Sequence, residues 1–171
     1  MNPMALHKIS YGMYVITSKL DGKLNGQIAN VVFQITAEPP TIAISINKQN
    51  LTCEFIQKSK SFGVSVLSKD TPLKFIGHFG FRSGRTCDKF IDVDYKIEKN
   101  GVLILQDCIV AYLEAEVINT IDAGTHIIFI GKIIINEIIN DKEPMTYEYY
   151  HEVKRGTTHK NAPTYIKDDA M

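Results

Sequence analysis

Apolar and polar side chains alternate in short runs along most of this chain: YGMYVITS (11–18), GQIANVVFQIT (26–36), TIAISIN (41–47), SFGVSVL (61–67), DYKIEK (94–99), CIVAYLEAEVINTI (108–121) and THIIFIGKIIINEII (125–139). Val, Ile, Tyr, Phe and Thr fill these runs, and a period of two marks half-buried strands. Turn dipeptides punctuate them, DG at Asp21–Gly22 and NG at Asn25–Gly26 and Asn100–Gly101. About seven antiparallel strands joined by short turns predict a mainly β protein, a closed barrel or a sandwich, because closure removes exposed edges. Two segments carry helical spacing instead. NLTCEFIQKS offers Asn50 as N-cap with Leu51, Phe55 and Ile56 on one side. TPLKFIGHFGF offers Thr71 as cap and Pro72 as the first helical residue. The end, from about residue 146 to 171, turns polar with Pro and Gly and reads as an extended arm beyond a barrel at about 8–145.

Composition narrows the partners. A chain of 171 residues, 44% hydrophobic, fits one domain, residues 1–171, with a sizeable core. Equal numbers of Lys+Arg and Asp+Glu, 19 each, create no overall field for nucleic acid or anionic lipid. No stretch approaches the roughly 18 uninterrupted apolar residues of a membrane span, and the start lacks a signal-peptide pattern, so a cytoplasmic protein is expected. Cys53, Cys87 and Cys108 form no CxxC pair, so no metal site is expected and reduced thiols are. Neither a GxSxG elbow, a P-loop nor a Rossmann glycine signature is present, which removes support from hydrolase and nucleotide-triphosphatase functions.

Several stretches can carry chemistry. In QIANVVFQIT, Ile28, Asn30, Val32 and Gln34 share one face, and in TIAISIN, Ala43, Ser45 and Asn47 do. A helix starting near Leu51 leaves unpaired N–H groups and partial positive charge in its first turn. With Lys48 and the donors of Asn47, Asn50 and Thr52, the SINKQNLT loop has the equipment of an anion cradle. Alternatively Asn50 only caps and Lys48 is a solvated charge. After the second helix come Arg82, Ser83, Gly84 and Arg85, either a second anion contact or a polar loop in which Asp88 and Lys89 pair locally. His126 and His151 have structural and catalytic readings. Tyr147, Tyr149 and Tyr150 are packing or a surface for a flat ring. Small-residue packing suits Cys53 and Cys87 better than activated thiols do.

Taken in order, DGKLNGQIANVVFQIT, PPTIAISINKQNLTCEFI, FGFRSGRTCDKF, GTHIIFIG and YYHEVKRGTTHKNAPTY resemble the flavin reductase-like family. The likeness is to the branch that includes the flavin domain of high-molecular-weight rubredoxins, and it spans roughly residues 10–165. It implies an FMN-binding split β-barrel, antiparallel and of Greek-key type, with two or so short helices. It also implies a homodimer with one FMN per subunit near the interface. By that likeness Gln27, Ile28, Ala29 and Asn30 run beside the flavin ring; Ser45, Asn47, Lys48, Asn50 and Thr52 bind the ribityl chain and phosphate; Ser83 and Arg85 close over the phosphate; and His126 and His151 are catalytic candidates near the flavin or nicotinamide. The implied activity is an NAD(P)H:flavin oxidoreductase, with NADH or NADPH as transient hydride donor. Because the paired CxxC motifs of the rubredoxin-fused relatives do not follow APTY here, electrons are expected to leave for a separate acceptor: a redox protein such as a rubredoxin, free flavin, a metal chelate or oxygen. The alternative is a flavoredoxin-like FMN electron carrier without substantial NAD(P)H oxidation. Hydride chemistry belongs to the flavin, which explains a chain with no visible nucleophile or acid. A nucleic-acid-binding barrel fits poorly, since such modules combine a basic groove with stacking aromatics and this chain is neutral and lacks tryptophan.

Overall fold

The computed structural model describes residues 3–98 and 101–166. After a 3₁₀ segment, Pro3–Lys8, come β1 (Tyr14–Leu20), β2 (Lys23–Ala29), β3 (Val32–Ala37), β4 (Pro40–Asn47), α1 (Leu51–Ser59), β5 (Ser61–Leu67) and α2 (Leu73–Phe81). Then follow β6 (Tyr95–Ile97), β7 (Leu103–Leu105), β8 (Ile109–Ala123), β9 (His126–Ile138) and α3 (Tyr147–Glu152). Seven strands make one antiparallel sheet in the order β2-β1-β5-β8-β9-β4-β3, and β6 and β7 form a separate hairpin.

The sheet curls without closing. Ile16 of β1, Ile44 of β4, Phe62 and Val64 of β5, Ala115 of β8 and Phe129 of β9 meet in one buried cluster, which strands four positions apart in a flat sheet do not do. Helix α1 plugs that interior with Cys53 and Ile56, packing on β1, β2 and β4 and so bridging both ends of the sheet. Burying each such aliphatic side chain contributes roughly 1.5–3 kcal/mol. The helix ends at Lys60, whose left-handed backbone (φ 60) lets its N–H donate to the Ile56 carbonyl. A second cluster lies outside the barrel, where Val15, Leu67, Phe79, Phe90, Leu103, Ile104, Met145 and Tyr150 pack together. Both faces of β1 and β5 are therefore covered, which is why VIT and VSVL lack strict alternation.

GQIANVVFQIT is two strands, not one. β2 pairs with β1 at one edge of the sheet and β3 with β4 at the other, so the chain must cross the split between them at Asn30–Val31. Two contacts hold the crossing: buried Asn30 donates through Nδ2 to Thr164 Oγ1 at 2.9 Å, and the Val31 carbonyl accepts from Ser45 N–H. The Asn25–Gly26 pair is no turn. It lies inside β2 opposite Ser18 and Thr17, and the reversal sits at Asp21–Gly22, where both residues have positive φ. Of the expected Asn100–Gly101 turn, Asn100 lies outside the described residues, as do Lys99 and the arm beyond residue 166. Both expected helices form, but Pro72 is the N-cap of α2 while Thr71 Oγ1 donates to the carbonyls of Ser68 and Cys108. Within the arm, Thr146 caps a helix that polar composition concealed: its side chain accepts from Tyr149 N–H.

Candidate functional site

The uncovered edge of β2, the end of β4, the first turn of α1, the last turn of α2 and the arm surround one cleft. Its cavity volume is about 200 Å³. β2 supplies Asn25 and Gln27–Asn30, β4 supplies Ser45 and Asn47, and Asn50–Thr52 come from the start of α1. Phe79–Phe81 end α2 and lead into Arg82–Gly84 and Lys89. Tyr147, Tyr150 and the arm from Thr157 to Pro163 form the opposite wall, with His126 beside them.

One end of the cleft suits an anion. Asn50 keeps extended backbone (φ −80, ψ 136) and its side chain does not cap α1. Cys53 N–H donates to the Asn50 carbonyl at 3.0 Å, which leaves the N–H groups of the cleft-lining Leu51 and Thr52 as the first-turn donors without intrahelical partners. Thr52 Oγ1 instead accepts from Asn25 Nδ2 at 2.8 Å, tying the helix start to β2. Gly84 closes over this junction: a Cβ there would stand 2.1 Å from Asn25 Oδ1 and 3.2 Å from Leu51 Cδ2, so only glycine lets the loop come this near. Asn25 Oδ1 and Gln27 Oε1 are buried acceptors that receive no hydrogen bond among the described residues. Each can take a donor from a ligand or a water that enters the cleft.

Lys89 is 4% exposed. Its Nζ donates to the Gly26 carbonyl at 2.8 Å and to the Phe79 carbonyl at 3.1 Å, the latter at the negative end of α2. Burial pushes this ammonium down to about 8. Cys53, at the start of α1, is fully buried, and burial followed by the Glu54 charge pushes its thiol up to about 11. It packs in the core and is no nucleophile at neutral pH.

Side chains rather than a strand ladder hold the arm over the cleft. Asn161 donates through Nδ2 to Asn50 Oδ1 at 2.9 Å, and its carbonyl accepts from Asn47 Nδ2 at 3.3 Å. The same carbonyl lies 3.2 Å from His126 Nε2, while His126 Nδ1 lies 2.9 Å from Thr125 Oγ1. This arrangement fits a neutral ring donating through Nε2 and accepting at Nδ1, and burial holds the His126 pKa below the ordinary histidine value. At the other end Tyr147 OH contacts Thr158 and Thr164, and Phe81 meets His159 edge to face at the mouth.

Among the residues expected from sequence, Gln27, Ile28, Ala29, Asn30, Ser45, Asn47, Asn50, Thr52, Ser83 and His126 all line this cleft. Lys48, Arg85 and His151 do not. Lys48 pairs with Asp122 at 2.7 Å and Arg85 with Glu54, both on the surface. His151 sits behind the wall, its ring 4.3 Å from that of Tyr147 and its Nε2 3.2 Å from Thr158 Oγ1. Asp88 and Lys89 do not pair: the Asp88 carboxylate accepts from Phe90 N–H. Sequence reasoning missed Asn25, hidden in an apparent turn, and the role of the arm, hidden by its polarity. Among the described residues no group of His, Cys, Asp and Glu could hold a metal ion.

Known proteins agree with this architecture. The flavin reductase like domain matches residues 6–158. The high molecular weight rubredoxin of Moorella thermoacetica is 56% identical over 165 residues, covering 96% of this chain and 72% of that one. The ferric-chelate reductase (NAD(P)H) of Archaeoglobus fulgidus is 44% identical over 167 residues, 98% of this chain and 99% of its own. The structure of the NADH:FAD oxidoreductase SgcE6 of Streptomyces globisporus superimposes with a TM-score of 0.76 at 25% identity, covering 83% of each chain. A split, antiparallel barrel with a cleft on its open edge, matched nearly end to end at 44% identity, places this chain in the flavin reductase-like family.

Proposed function

We propose that this protein is an NAD(P)H-dependent flavin reductase that binds FMN in the cleft and passes electrons to a separate acceptor. One observation carries the assignment of the cleft. A polarised helix start and a buried ammonium lie at the same end as buried acceptors with no donors among the described residues. FMN has the complementary parts in one molecule: a phosphate, a chain of hydroxyl donors and a flat ring. Asn50–Thr52 and Ser83 would take the phosphate, Asn25 and Gln27 the hydroxyls or ring N–H, and Gln27–Asn30 the ring edge. Held there, FMN would supply the chemistry of taking a hydride from NADH or NADPH and passing electrons onward.

The chain's own part is positional. The first-turn amides orient the anion, Ile28 and Phe79–Phe81 exclude water from one side, and neutral His126 donates to the arm that roofs the cleft. The Archaeoglobus relative's name suggests a ferric chelate as acceptor and the Moorella relative's name a rubredoxin. We read residues 1–171 as one domain and the working unit as a homodimer, supported by exposed Phe33, Ile35, Ile118 and Ile121 on β3 and β8. Three free thiols and the lack, among the described residues, of a helix able to cross a membrane fit a cytoplasmic setting. The test is anaerobic mixing of FMN-loaded protein with NADH and with NADPH while the visible flavin absorbance is followed. Rapid bleaching by either is expected; bleaching by dithionite alone would make the protein an electron carrier.

A further inference from the structure

We propose that Lys89, a residue unremarkable in the sequence, supplies the charge that neutralises the phosphate of the bound flavin. The inference rests on the flavin reading of the cleft and names the cation within it. Burying an ammonium is costly unless it is paired, yet Lys89 has no carboxylate partner among the described residues. Its neighbour Asp88 is committed to the Phe90 amide. The two backbone carbonyls, Gly26 and Phe79, account for two of its three N–H donors and leave the third free.

Capping the last turn of α2 would explain one of those bonds, but an exposed lysine caps carbonyls without being desolvated. The position is more specific than that. Gly26 is the residue after Asn25, whose side chain touches Thr52 at the start of α1 and faces Gly84. The ammonium therefore lies at the same end of the cleft as the first-turn amides and Ser83. Of the other cations near that end, Lys48 pairs with Asp122 and Arg85 with Glu54 on the surface, and neither lines the cleft. Arg82 is exposed at the rim. A buried positive charge with a spare donor beside polarised amides is complementary to a dianion.

The test compares FMN with riboflavin, which has the same ring and ribityl chain but no phosphate. Each is titrated by fluorescence quenching into flavin-free wild type, Lys89→Gln, Lys89→Met and Lys48→Ala, with circular dichroism to confirm folding. Glutamine keeps a donor for the two carbonyls, so it guards against a methionine variant that fails to fold. Lys89→Gln should weaken FMN by about 10- to 100-fold, the worth of a charge-assisted contact, and riboflavin by less than about 2-fold. Lys48→Ala should change FMN affinity by less than about 3-fold, as expected of a surface pair. Unchanged FMN affinity in the folded Lys89→Gln variant would overturn the assignment. So would equal loss of both ligands, which would place the charge at the ring. Wild type that binds neither ligand would instead remove the flavin reading itself.

Discussion

Replacing Thr52 by valine tests the junction on which the cleft depends. Thr52 is 1% exposed and Asn25 3%, and the 2.8 Å bond from Asn25 Nδ2 to Thr52 Oγ1 is the one hydrogen bond the Asn25 side chain makes among the described residues. Valine preserves the shape and removes the acceptor. The buried amide then has no partner, which costs about 1–3 kcal/mol. At ~2 kcal/mol a protein of this size should melt about 4–8 °C lower. Urea denaturation of the flavin-free protein reads this directly, and a cycle with Asn25→Ala should show a coupling of roughly 1 kcal/mol. The effect should reach the site as well: with Asn25 released, FMN should bind more weakly than to wild type. Stability within about 0.5 kcal/mol of wild type, together with unaltered FMN affinity, would refute the claim that this bond fixes the helix start against β2.

Lys89 gives the flavin-free protein a signature in pH. Burial holds its pKa at about 8, below the ordinary 10.5, with Cys87 on its own loop and His159 on the arm as the neighbouring titratable groups. Between those two values the unfolded chain binds the proton and the folded one does not, so stability should rise with pH by up to the order of 3 kcal/mol. Urea midpoints across this range should show the rise in wild type and lose it in Lys89→Met, and bound FMN, which favours the ammonium, should flatten it. In the barrel interior, Gly131→Ala would put a Cβ 2.6 Å from Phe62 Cζ and 2.8 Å from Ala115 Cβ. Overpacking of this kind costs typically 1–3 kcal/mol, measurable by thermal melting.

Sequence legibility followed local signals. The two main helices and most strands were readable because their periods are set by neighbours in the chain, as with Phe55 and Ile56 on α1. The division of 26–36 into β2 and β3 was not, since it depends on which distant strands, β1 and β4, take each half. The same holds for charges. Lys48 and Arg85 looked apt for an anion from loop position, but their carboxylate partners, Asp122 and Glu54, lie 74 and 31 residues away in sequence. Lys89 sits next to Asp88 and so read as a local pair, and only the fold turns its ammonium inward to Gly26, 63 residues back. α3 and the arm, polar in composition, are placed by Asn161, Thr158 and Thr164 reaching cleft residues one at a time. The β7 strand Leu103–Leu105, fully buried, was too short to announce itself by period.

The most direct measurement is a crystal structure of the protein grown with FMN. It should show the phosphate at the start of α1 within reach of Ser83 and Lys89, with the ring along Gln27–Asn30 beneath the arm. FMN bound elsewhere on the surface, or a cleft filled by the arm in the presence of saturating FMN, would contradict the account.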